Sequence, residues 1–271
     1  MSQILAVVLR LAAGLLLAAL FATPAANTLT PEEQAQGWEL LFDGASLSAW
    51  EQPLPGPDGK PIWVIEDGCL VAKPFEGPSQ YLLTREKYDD FEFSFEWRMS
   101  PNGNSGVKYL IQKYELRVDG KPVTREQVRP GMKVDEWLAG FEYQLIDDER
   151  HRDAKDPRNT SGSIYNLVAP ASRAARPAGE FNHSRLIVRG NSVEHWLNGV
   201  NVVSVSLDSD EFRKVLKERW EKRRPGSYRA LATRTYRIAP LALQNHGDTP
   251  VWFRNLKIRR LQSGDSSGFR F

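Results

Sequence analysis

Cysteine is almost absent from this chain of 271 residues, in which Cys69 is the only one. A single cysteine cannot form an internal disulfide, so the fold is not a small scaffold stapled by disulfides. The sequence also lacks a Walker loop, a dinucleotide-binding glycine fingerprint, a serine nucleophile elbow, a zinc-binding helix and a Cys-x-x-Cys pair. These absences argue against nucleotide-dependent, serine-hydrolase and dithiol chemistry.

Long hydrophobic runs are also scarce, and the clear exception lies at the start of the chain. Residues 11–21 are apolar, follow Arg10 and precede small residues at 22–26. A positive residue, an apolar core of about ten residues and a small-residue exit are typical of a secretory signal peptide, whereas a membrane-spanning helix needs about 20 apolar residues. We therefore predict a signal peptide over residues 1–26 and a periplasmic or secreted bacterial protein with no membrane contact after cleavage. An uncleaved anchor is the alternative interpretation.

Charge of one sign is not in excess, since the formal net charge at pH 7 is +2. Such a balance gives no electrostatic indication of nucleic-acid binding. Residues 213–237 are rich in Lys and Arg, but Phe212, Leu216 and Trp220 recur there at helical spacing. We interpret residues 211–224 as an amphipathic helix with a solvated basic face, in preference to a nucleic-acid footprint, and no nucleic-acid partner is predicted.

The chain is rich in aromatic residues and in short alternating segments. It contains 8 Trp, 8 Tyr and 12 Phe, which is enough for a large core. Residues 91–98 alternate between aromatic and polar side chains, and Asp67-Gly68 is typical of a hairpin turn. About a dozen such strands predict an all-β fold, an antiparallel β-sandwich or jelly roll with a short inserted amphipathic helix. The domain is predicted over residues 36–261, with an irregular excursion at 113–139 and a polar tail at 262–271.

A strand centred on Glu142 carries the strongest candidates for chemistry. Alternation places Glu142 and Gln144 on one face and apolar side chains on the other. Asp147 would then fall on the apolar face, which is unfavourable for an unpaired carboxylate, unless one residue at Leu145 or Ile146 bulges. With such a bulge, two carboxylates and an amide would lie in a row and could share acid and base roles. A solvated strand face that ends in a turn is the alternative interpretation.

Polar residues elsewhere offer further candidates. His246 and Gln244 lie on the polar face of one predicted strand, where an imidazole can transfer protons or bind a metal; a structural histidine beside a turn is the alternative. His195 alternates with apolar neighbours and is interpreted as half-buried, with a ligand contact as the alternative. His151 lies in a loop with acidic neighbours, either at a site or in solvent. Asn104 precedes a Ser-Gly pair at which the backbone can approach a polar ligand closely, or simply turn.

Seven short segments occur in a characteristic order, among them Gly-Phe-Glu-Tyr-Gln-Leu-Ile-Asp-Asp at 140–148 and Leu-Gln-Asn-His-Gly at 243–247. The other five are residues 37–44, 91–98, 104–106, 194–199 and 252–258. Together they resemble the 3-keto-disaccharide hydrolase domain family, formerly a domain of unknown function. The resemblance covers about residues 36–261. It implies a concanavalin A-like sandwich, export, and a carbohydrate substrate, namely a glycoside oxidised at C3.

The chemistry of such a substrate defines the groups required. A ketone at C3 acidifies the hydrogen on C2, so a base can form an enolate, the C1 substituent can leave, and water can add afterwards. The reaction needs a base, a group that stabilises the enolate oxygen, and an acid for the leaving oxygen. The predicted catalytic residues are Glu142, Asp147 and His246. The predicted substrate-binding residues, expected with Glu142 and His246 on one concave face, are Gln144, Gln244, Glu96, Arg98, Asn104, His195 and His151. Gln244, Arg98 or a divalent cation is expected to stabilise the enolate, and no organic cofactor is implied.

Two other functions remain open on the sequence alone. Glu-x-Gln-x-x-Asp at 142–147 is reminiscent of the Glu-x-Asp-x-x-Glu strand of laminarinase-like retaining glycosidases, which need two carboxyls about 5 Å apart. Gln144 and the shorter Asp147 depart from that pattern. A non-catalytic carbohydrate-binding module is the other alternative, with Trp196 and Trp252 as stacking platforms.

Overall fold

Two antiparallel sheets face one another in the computed structural model, which describes residues 26–262. The predicted signal peptide, except for its last residue, and the predicted tail beyond residue 262 lie outside the described residues. The larger sheet has the strand order β11-β10-β9-β5-β13-β3-β2, and β1 pairs with β13. Its strands are β1 (Glu39–Leu40), β2 (Trp63–Glu66), β3 (Cys69–Ala72), β5 (Phe91–Met99), β9 (Asn182–Arg189), β10 (Ser192–Leu197), β11 (Val200–Ser206) and β13 (Val251–Arg260).

The smaller sheet contains the two longest strands of the described chain. Its order is β4-β12-β6, and both β8 and β7 pair with β6. The strands are β4 (Gln80–Leu83), β6 (Asn104–Val118), β7 (Lys121–Val123), β8 (Val134–Ile146) and β12 (Ala242–Asn245). All strand pairs are antiparallel, so the predicted all-β sandwich is confirmed.

The core lies between the two sheets and follows the alternation of the sequence. Phe93 and Phe95 of β5 are fully buried, and the Phe95 ring makes a T-shaped contact with Tyr143 of β8, with ring centroids 5.7 Å apart. The hairpin predicted at Asp67-Gly68 joins β2 to β3. Its two turn residues have φ values of 50° and 69°, as a tight turn between twisted strands requires.

Helices are few, and the inserted one lies where the sequence predicts it. Helix α1 (Pro31–Ala35) is short, α2 spans Asp210–Trp220 and α3 spans Pro225–Thr233; 3-10 turns occur at Arg125–Gln127, Arg152–Lys155 and Pro157–Asn159. The Ser209 hydroxyl accepts from the Phe212 amide and caps α2. Phe212, Leu216 and Trp220 are buried, so the amphipathic insertion is confirmed. None of the helices in residues 26–262 is long and apolar enough to cross a membrane.

Residues 113–139, predicted as an irregular excursion, are mostly regular. They continue β6 and β8 as a long hairpin, which we call the arm, because Leu116 pairs with Glu136 and Val118 with Val134. The predicted bulge at Leu145 or Ile146 is wrong, since the register of β8 with β6 is unbroken there. The irregularity lies instead in β6, between Tyr109 and Lys113.

The arm docks on β4 through a buried carboxyl group. One oxygen of Glu136 accepts from the Tyr81 amide at 3.3 Å, and the other accepts from the Tyr114 hydroxyl at 2.5 Å. Arg125 of the arm donates to the Gln52 carbonyl at 2.5 Å. Burial raises the pKa of Glu136 to about 7, although the bonds from Tyr114 and Tyr81 act in the opposite direction. A carboxyl group therefore titrates near neutral pH where the arm meets the sheet.

This raised pKa predicts a loss of stability as pH rises. The Glu136 carboxyl ionises near pH 4.5 in the unfolded chain and near 7 in the fold, so the unfolded state loses its proton first. The free energy of unfolding should fall between these pH values, by about 3 kcal/mol at 1.4 kcal/mol per pKa unit. Urea unfolding at pH 5 and pH 8 measures the loss, which Glu136→Gln should abolish. Glu218→Gln, on the exposed face of α2, should retain it. The same pH dependence in wild type and Glu136→Gln would contradict the prediction.

Candidate active site

The outer face of the smaller sheet collects polar side chains from four strands. Lys108 of β6 pairs with Glu142 of β8 on one side and with Ala242 of β12 on the other. We call this surface the Glu142 face. Its polar side chains are Tyr81, Asn104, Lys108, Glu142, Gln144 and Gln244.

Glu142 leans along the sheet over a glycine. Its Oε2 atom lies 2.5 Å from Nζ of Lys108, and the two side chains are only 5% and 8% exposed. Its Oε1 atom lies 2.2 Å from the point that a Cβ on Gly106 would occupy. A side chain at position 106 would therefore collide with the carboxylate, and only glycine leaves the space that Glu142 fills. Within the described residues, Oε1 makes no hydrogen bond, so one carboxylate oxygen remains available above Gly106.

Lys108 is a site residue that the sequence predictions missed. Burial lowers its pKa, but the charge of Glu142, with a smaller effect of Tyr81, outweighs burial and raises the pKa above its ordinary value. Lys108 is thus a permanent cation at neutral pH. The signal was present in the sequence: Lys108 is a single charge in an otherwise apolar stretch at 107–111, and such a charge is buried only with a partner.

Three of the predicted binding residues do lie beside Glu142. The side-chain amide nitrogen of Gln144 donates to Oδ1 of Asn104 at 3.0 Å. The side-chain oxygen of Gln144 is buried without a hydrogen bond in the described part of the chain. Gln244 donates to the Tyr81 hydroxyl at 3.4 Å. The strand register, continued by one residue, places Gln244 next to Gly106. Asn104, Gln144 and Gln244 therefore place three amide side chains on the same sheet face as the Glu142 carboxylate.

A further segment pairs with the free edge of β8 next to these residues. We call residues 161–165 the edge segment. The backbone amide of Gly162 donates to the backbone carbonyl of Gln144 at 2.9 Å, and the backbone amide of Gln144 donates to the backbone carbonyl of Ser163 at 3.1 Å. The Tyr165 amide donates to the Glu142 carbonyl at 3.0 Å. The edge segment thus brings Tyr165 to the border of the Glu142 face.

Tyr165 is a second site residue that the sequence predictions missed. Burial and the negative charge of Glu142 raise its pKa, whereas Arg224 and Lys108 lower it. Its hydroxyl makes no hydrogen bond within residues 26–262 and keeps its proton at neutral pH. A neutral hydroxyl near a carboxylate can donate a hydrogen bond to a substrate oxygen.

Two of the predicted histidines lie near one another beyond the end of β12. Nδ1 of His246 lies 2.7 Å from the Asp248 carboxylate, and Nδ1 of His151 accepts from the Asp153 amide at 3.2 Å. Burial lowers the pKa of His151 and outweighs the opposite effect of Asp153, and the nearby His246 also lowers this pKa. His246 carries its own carboxylate partner, which fixes the proton on Nδ1 and leaves Nε2 for proton transfer.

His195, predicted as a binding residue, lies in the core and cannot touch a substrate there. Its side chain is 0% exposed, with Nδ1 2.9 Å from the Gly162 carbonyl and Nε2 3.1 Å from the Tyr109 hydroxyl. Burial lowers its pKa to about 3, so the ring is neutral at physiological pH. Nδ1 donates to the carbonyl and Nε2 accepts from the tyrosine. His195 supports the edge segment from behind the sheet.

Asp147, predicted as catalytic, holds the turn after β8. Because no bulge precedes it, its side chain leaves the Glu142 face and accepts from the backbone amides of Asn102, Glu149 and Arg150 at 2.7 to 3.2 Å. Burial acts to raise its pKa, but these hydrogen bonds outweigh burial and lower it. The geometry is that of a turn-capping carboxylate.

Glu96 and Arg98, predicted on the same concave face, belong to the other sheet. Their strand β5 pairs with β13 and β9, so its polar face points out of the opposite side of the sandwich. Glu96 accepts from Arg254 at 2.7 Å, and the Arg98 guanidinium lies between the rings of Phe181 and Trp252, 4.9 and 4.5 Å from their centroids. Alternation correctly predicted that both residues lie on the polar face of β5, where they are half-buried, but it did not predict the sheet to which β5 belongs.

The site combines a carboxylate, a buried ammonium, amide donors, a tyrosine hydroxyl and a histidine–aspartate pair. In residues 26–262, no cluster of three or more His, Cys, Asp and Glu side chains is arranged to hold a metal ion. The side chains themselves offer a base, hydrogen-bond donors for a developing oxyanion, and an acid. This set suits proton abstraction next to a carbonyl group.

Comparison with known proteins identifies the family to which this sequence is similar. A family sequence model described as a 3-keto-alpha-glucoside-1,2-lyase-like domain matches residues 37–259. A 3-keto-disaccharide hydrolase from Bacteroides thetaiotaomicron is 29% identical over 246 residues, which cover 84% of this chain and 79% of that protein.

Solved structures show the same fold. A candidate glycosyl hydrolase from Parabacteroides distasonis is 28% identical and aligns with a TM-score of 0.65 over 88% of this chain and 100% of its own. A second candidate glycosyl hydrolase from that organism is 23% identical, with a TM-score of 0.57 over 83% of this chain and 99% of its own. The second likeness concerns the fold alone.

The glycine beneath Glu142 predicts a sharp mutational effect. In Gly106→Ala the new Cβ would displace the carboxylate, because it would lie 2.2 Å from Oε1 and 2.8 Å from Cγ. Misplacing a reacting group by about 1 Å costs about 100-fold in rate, so glycoside cleavage should fall by that factor. Gly140→Ala is the matched control on β8, since its Cβ would meet Ile111 and the Tyr109 carbonyl at 3.1 Å rather than Glu142. Equal activities of the two folded variants, checked by thermal unfolding, would contradict the assignment.

Proposed function

This chain belongs to the 3-keto-alpha-glucoside-1,2-lyase-like family, and we propose that it cleaves glycosides carrying a ketone at C3 by eliminating the substituent at C1. Its relatives establish a carbohydrate-active enzyme that acts on glycosidic bonds. The observation that carries the finer proposal is the Glu142 carboxylate, held over Gly106 beside Lys108 on a sheet face that also carries three amide side chains.

The reaction proceeds by loss of a proton and then of the leaving group. A base removes the hydrogen on C2 as a proton. The electron pair of the C2–H bond then moves toward the C3 ketone and forms an enolate. When the ketone re-forms, a double bond develops between C1 and C2, and the bond from C1 to the glycosidic oxygen breaks. The leaving oxygen takes up a proton. Addition of water at C1 then gives net hydrolysis.

Glu142 is the proposed base. Lys108 holds Oε2, so the carboxylate has one orientation, and Oε1 lies free above Gly106. A base held in one orientation loses no entropy when it meets the substrate, which favours proton transfer. The charge of Lys108 also compensates the negative charge that passes from the carboxylate to the enolate.

Gln244 and Tyr165 are the proposed donors to the enolate oxygen. Gln244 of β12 lies on the Glu142 face, and Tyr165 of the edge segment borders it. To bind the enolate oxygen, the Gln244 side-chain amide gives up only a weak hydrogen bond of 3.4 Å to Tyr81. The Tyr165 hydroxyl makes no hydrogen bond within the described residues. Donors fixed before the reaction stabilise developing charge at little reorganisation cost.

His246 is the proposed acid for the leaving oxygen. The Asp248 carboxylate 2.7 Å from Nδ1 stabilises the imidazolium form and orients Nε2. His151, close to His246, is proposed as a contact for the leaving group.

The retaining-glycosidase alternative needs a second carboxyl about 5 Å from the first. The strand that carries Glu142 offers Gln144 as its next outward residue, and Asp147 is engaged in the turn. Elimination needs only one carboxylate on this strand, so the geometry favours it. Export to the periplasm or beyond is also part of the proposal, supported by the signal-like sequence of residues 1–26.

Substrate preference tests the proposal directly. The purified protein should cleave a 3-keto-glucoside and leave the parent glucoside essentially unchanged, because only the ketone acidifies the hydrogen on C2. Product formation is followed by chromatography with both substrates at equal concentration. An ordinary glycosidase would prefer the parent sugar, since its oxocarbenium-like transition state gains nothing from the ketone. Equal rates on the two substrates would refute the elimination route.

Isotopic labelling tests the role of Glu142. Deuterium at C2 of the 3-keto-glucoside should slow the reaction or exchange with solvent, whereas hydrolysis without C2 proton removal would retain it. Glu142→Gln should lower the rate by roughly 10² to 10⁴, as expected for a positioned proton-transfer group. Glu149→Gln, an exposed carboxyl in the turn after β8, is the control. Full retention of deuterium in the product, or full activity of Glu142→Gln, would exclude Glu142 as the base.

A further inference from the structure

The basic insertion reaches the active site at one residue. Arg224 lies between α2 and α3, and its guanidinium lies 5.5 Å from the ring centroid of Tyr165 and 5.5 Å from that of Trp220. Tyr165 borders the Glu142 face, as described above. The end of the insertion therefore extends the site. Arg224 is exposed, as predicted for the basic face, but its guanidinium also lies over two rings, one of them at the border of the Glu142 face.

The two rings that hold Arg224 are themselves fixed. Trp220 is 4% exposed, and its indole donates to Oδ1 of Asn166 at 3.3 Å. Tyr165 is tied through its amide to the Glu142 carbonyl. A guanidinium stacked on two anchored rings keeps its position at a small entropic cost and leaves its N–H groups directed to the ring edges and beyond.

Arg224 has no carboxylate partner within residues 26–262, in contrast to the two arginines of α2. Arg213 of α2 pairs with Asp208 at 3.2 Å, and Arg219 pairs with Asp156 at 3.3 Å. Across residues 26–262, no carboxylate oxygen lies within 4.0 Å of the Arg224 guanidinium. The charge is nevertheless felt inside the site, because Arg224 opposes the raised pKa values of both Tyr165 and Lys108.

We infer that Arg224 is a binding subsite for a carboxylate carried by the glycoside, and that the enzyme prefers acidic 3-keto-glycosides to neutral ones. The inference rests on the proposed function and adds a substrate class to it. An arginine with free donors forms two parallel hydrogen bonds to a carboxylate, which gives geometric selection as well as charge attraction. The carboxylate can belong to the sugar at C6, as in a uronic acid, or to the group at C1.

The test uses substrate pairs that differ only in charge. One pair is a 3-keto-glucuronide and its C6 carboxamide; the other is a 3-keto-glucoside of 4-hydroxybenzoate and of the corresponding benzamide. In wild type, kcat/KM for the acid should exceed that for the amide by about tenfold in at least one pair, as expected for one charge-assisted interaction. The pair that shows the preference identifies the position of the carboxylate. In Arg224→Gln that ratio should fall to near one, and in Arg224→Lys it should be intermediate because the charge remains without the planar fork.

Arg223→Gln is the matched control, because Arg223 is an exposed neighbour in the same turn. It should keep the wild-type ratio, and thermal unfolding should confirm that all variants are folded. A wild-type ratio near one in both pairs, or an unchanged ratio in Arg224→Gln, would overturn the inference. An equal loss of kcat on acid and amide would also overturn it, since that result would assign Arg224 to charge stabilisation in the reaction.

Failure of the proposed function can be told apart from failure of this inference. If wild type turns over none of the four substrates, elimination of 3-keto-glycosides is refuted. Calorimetric titration with the four compounds then measures binding alone. Tighter binding of an acid than of its amide, lost in Arg224→Gln and kept in Arg223→Gln, supports the subsite, whereas equal binding of acid and amide refutes it.

Discussion

Two opposite charges, the ammonium of Lys108 and the carboxylate of Glu142, lie 2.5 Å apart and almost wholly out of water. Each buried ion costs several kcal/mol in desolvation, so neither would stay there without the other. Their pairing depends on the register of β6 and β8, which sets them opposite one another, and on Gly106, which leaves room for the carboxylate. A shift of one residue would exchange the polar and core faces of β8, so the same register also determines which side chains form the core.

The site is assembled from parts that are distant in the sequence. The carboxylate and ammonium come from β8 and β6, Gln244 and His246 from β12 and the turn after it, and Tyr165 from the edge segment. The long strands supply rigid positions, whereas the edge segment and the α2–α3 insertion supply the borders. When rigid strands carry the reacting groups and irregular segments surround them, one fold can keep its reaction while its substrate range changes.

Alternation along single strands explains which predictions were confirmed. It separated the core residues of β5 and β8 from their polar faces, and it placed Gln144 beside Glu142. It could not assign a strand to a sheet, which is why Glu96 and Arg98 were expected on the wrong side of the sandwich. Lys108 and Tyr165 were missed for a related reason, since their roles depend on pairings between distant segments that no local pattern encodes. Asp147 was misplaced because its turn geometry follows from an unbroken register rather than from a bulge.

The hydrogen bond from His195 to Gly162 opposes local opening of the edge segment. Residues 161–165 contain no regular strand, and such segments commonly open on their own with little cost in free energy. Here the Gly162 carbonyl is bonded to a neutral imidazole in the core, and Gly162 and Tyr165 donate their amides to β8. Opening the segment would leave the imidazole N–H without a partner in an apolar interior, which is costly. We therefore expect the amides of this irregular stretch to exchange hydrogen together with those of the central strands, as one cooperative unit.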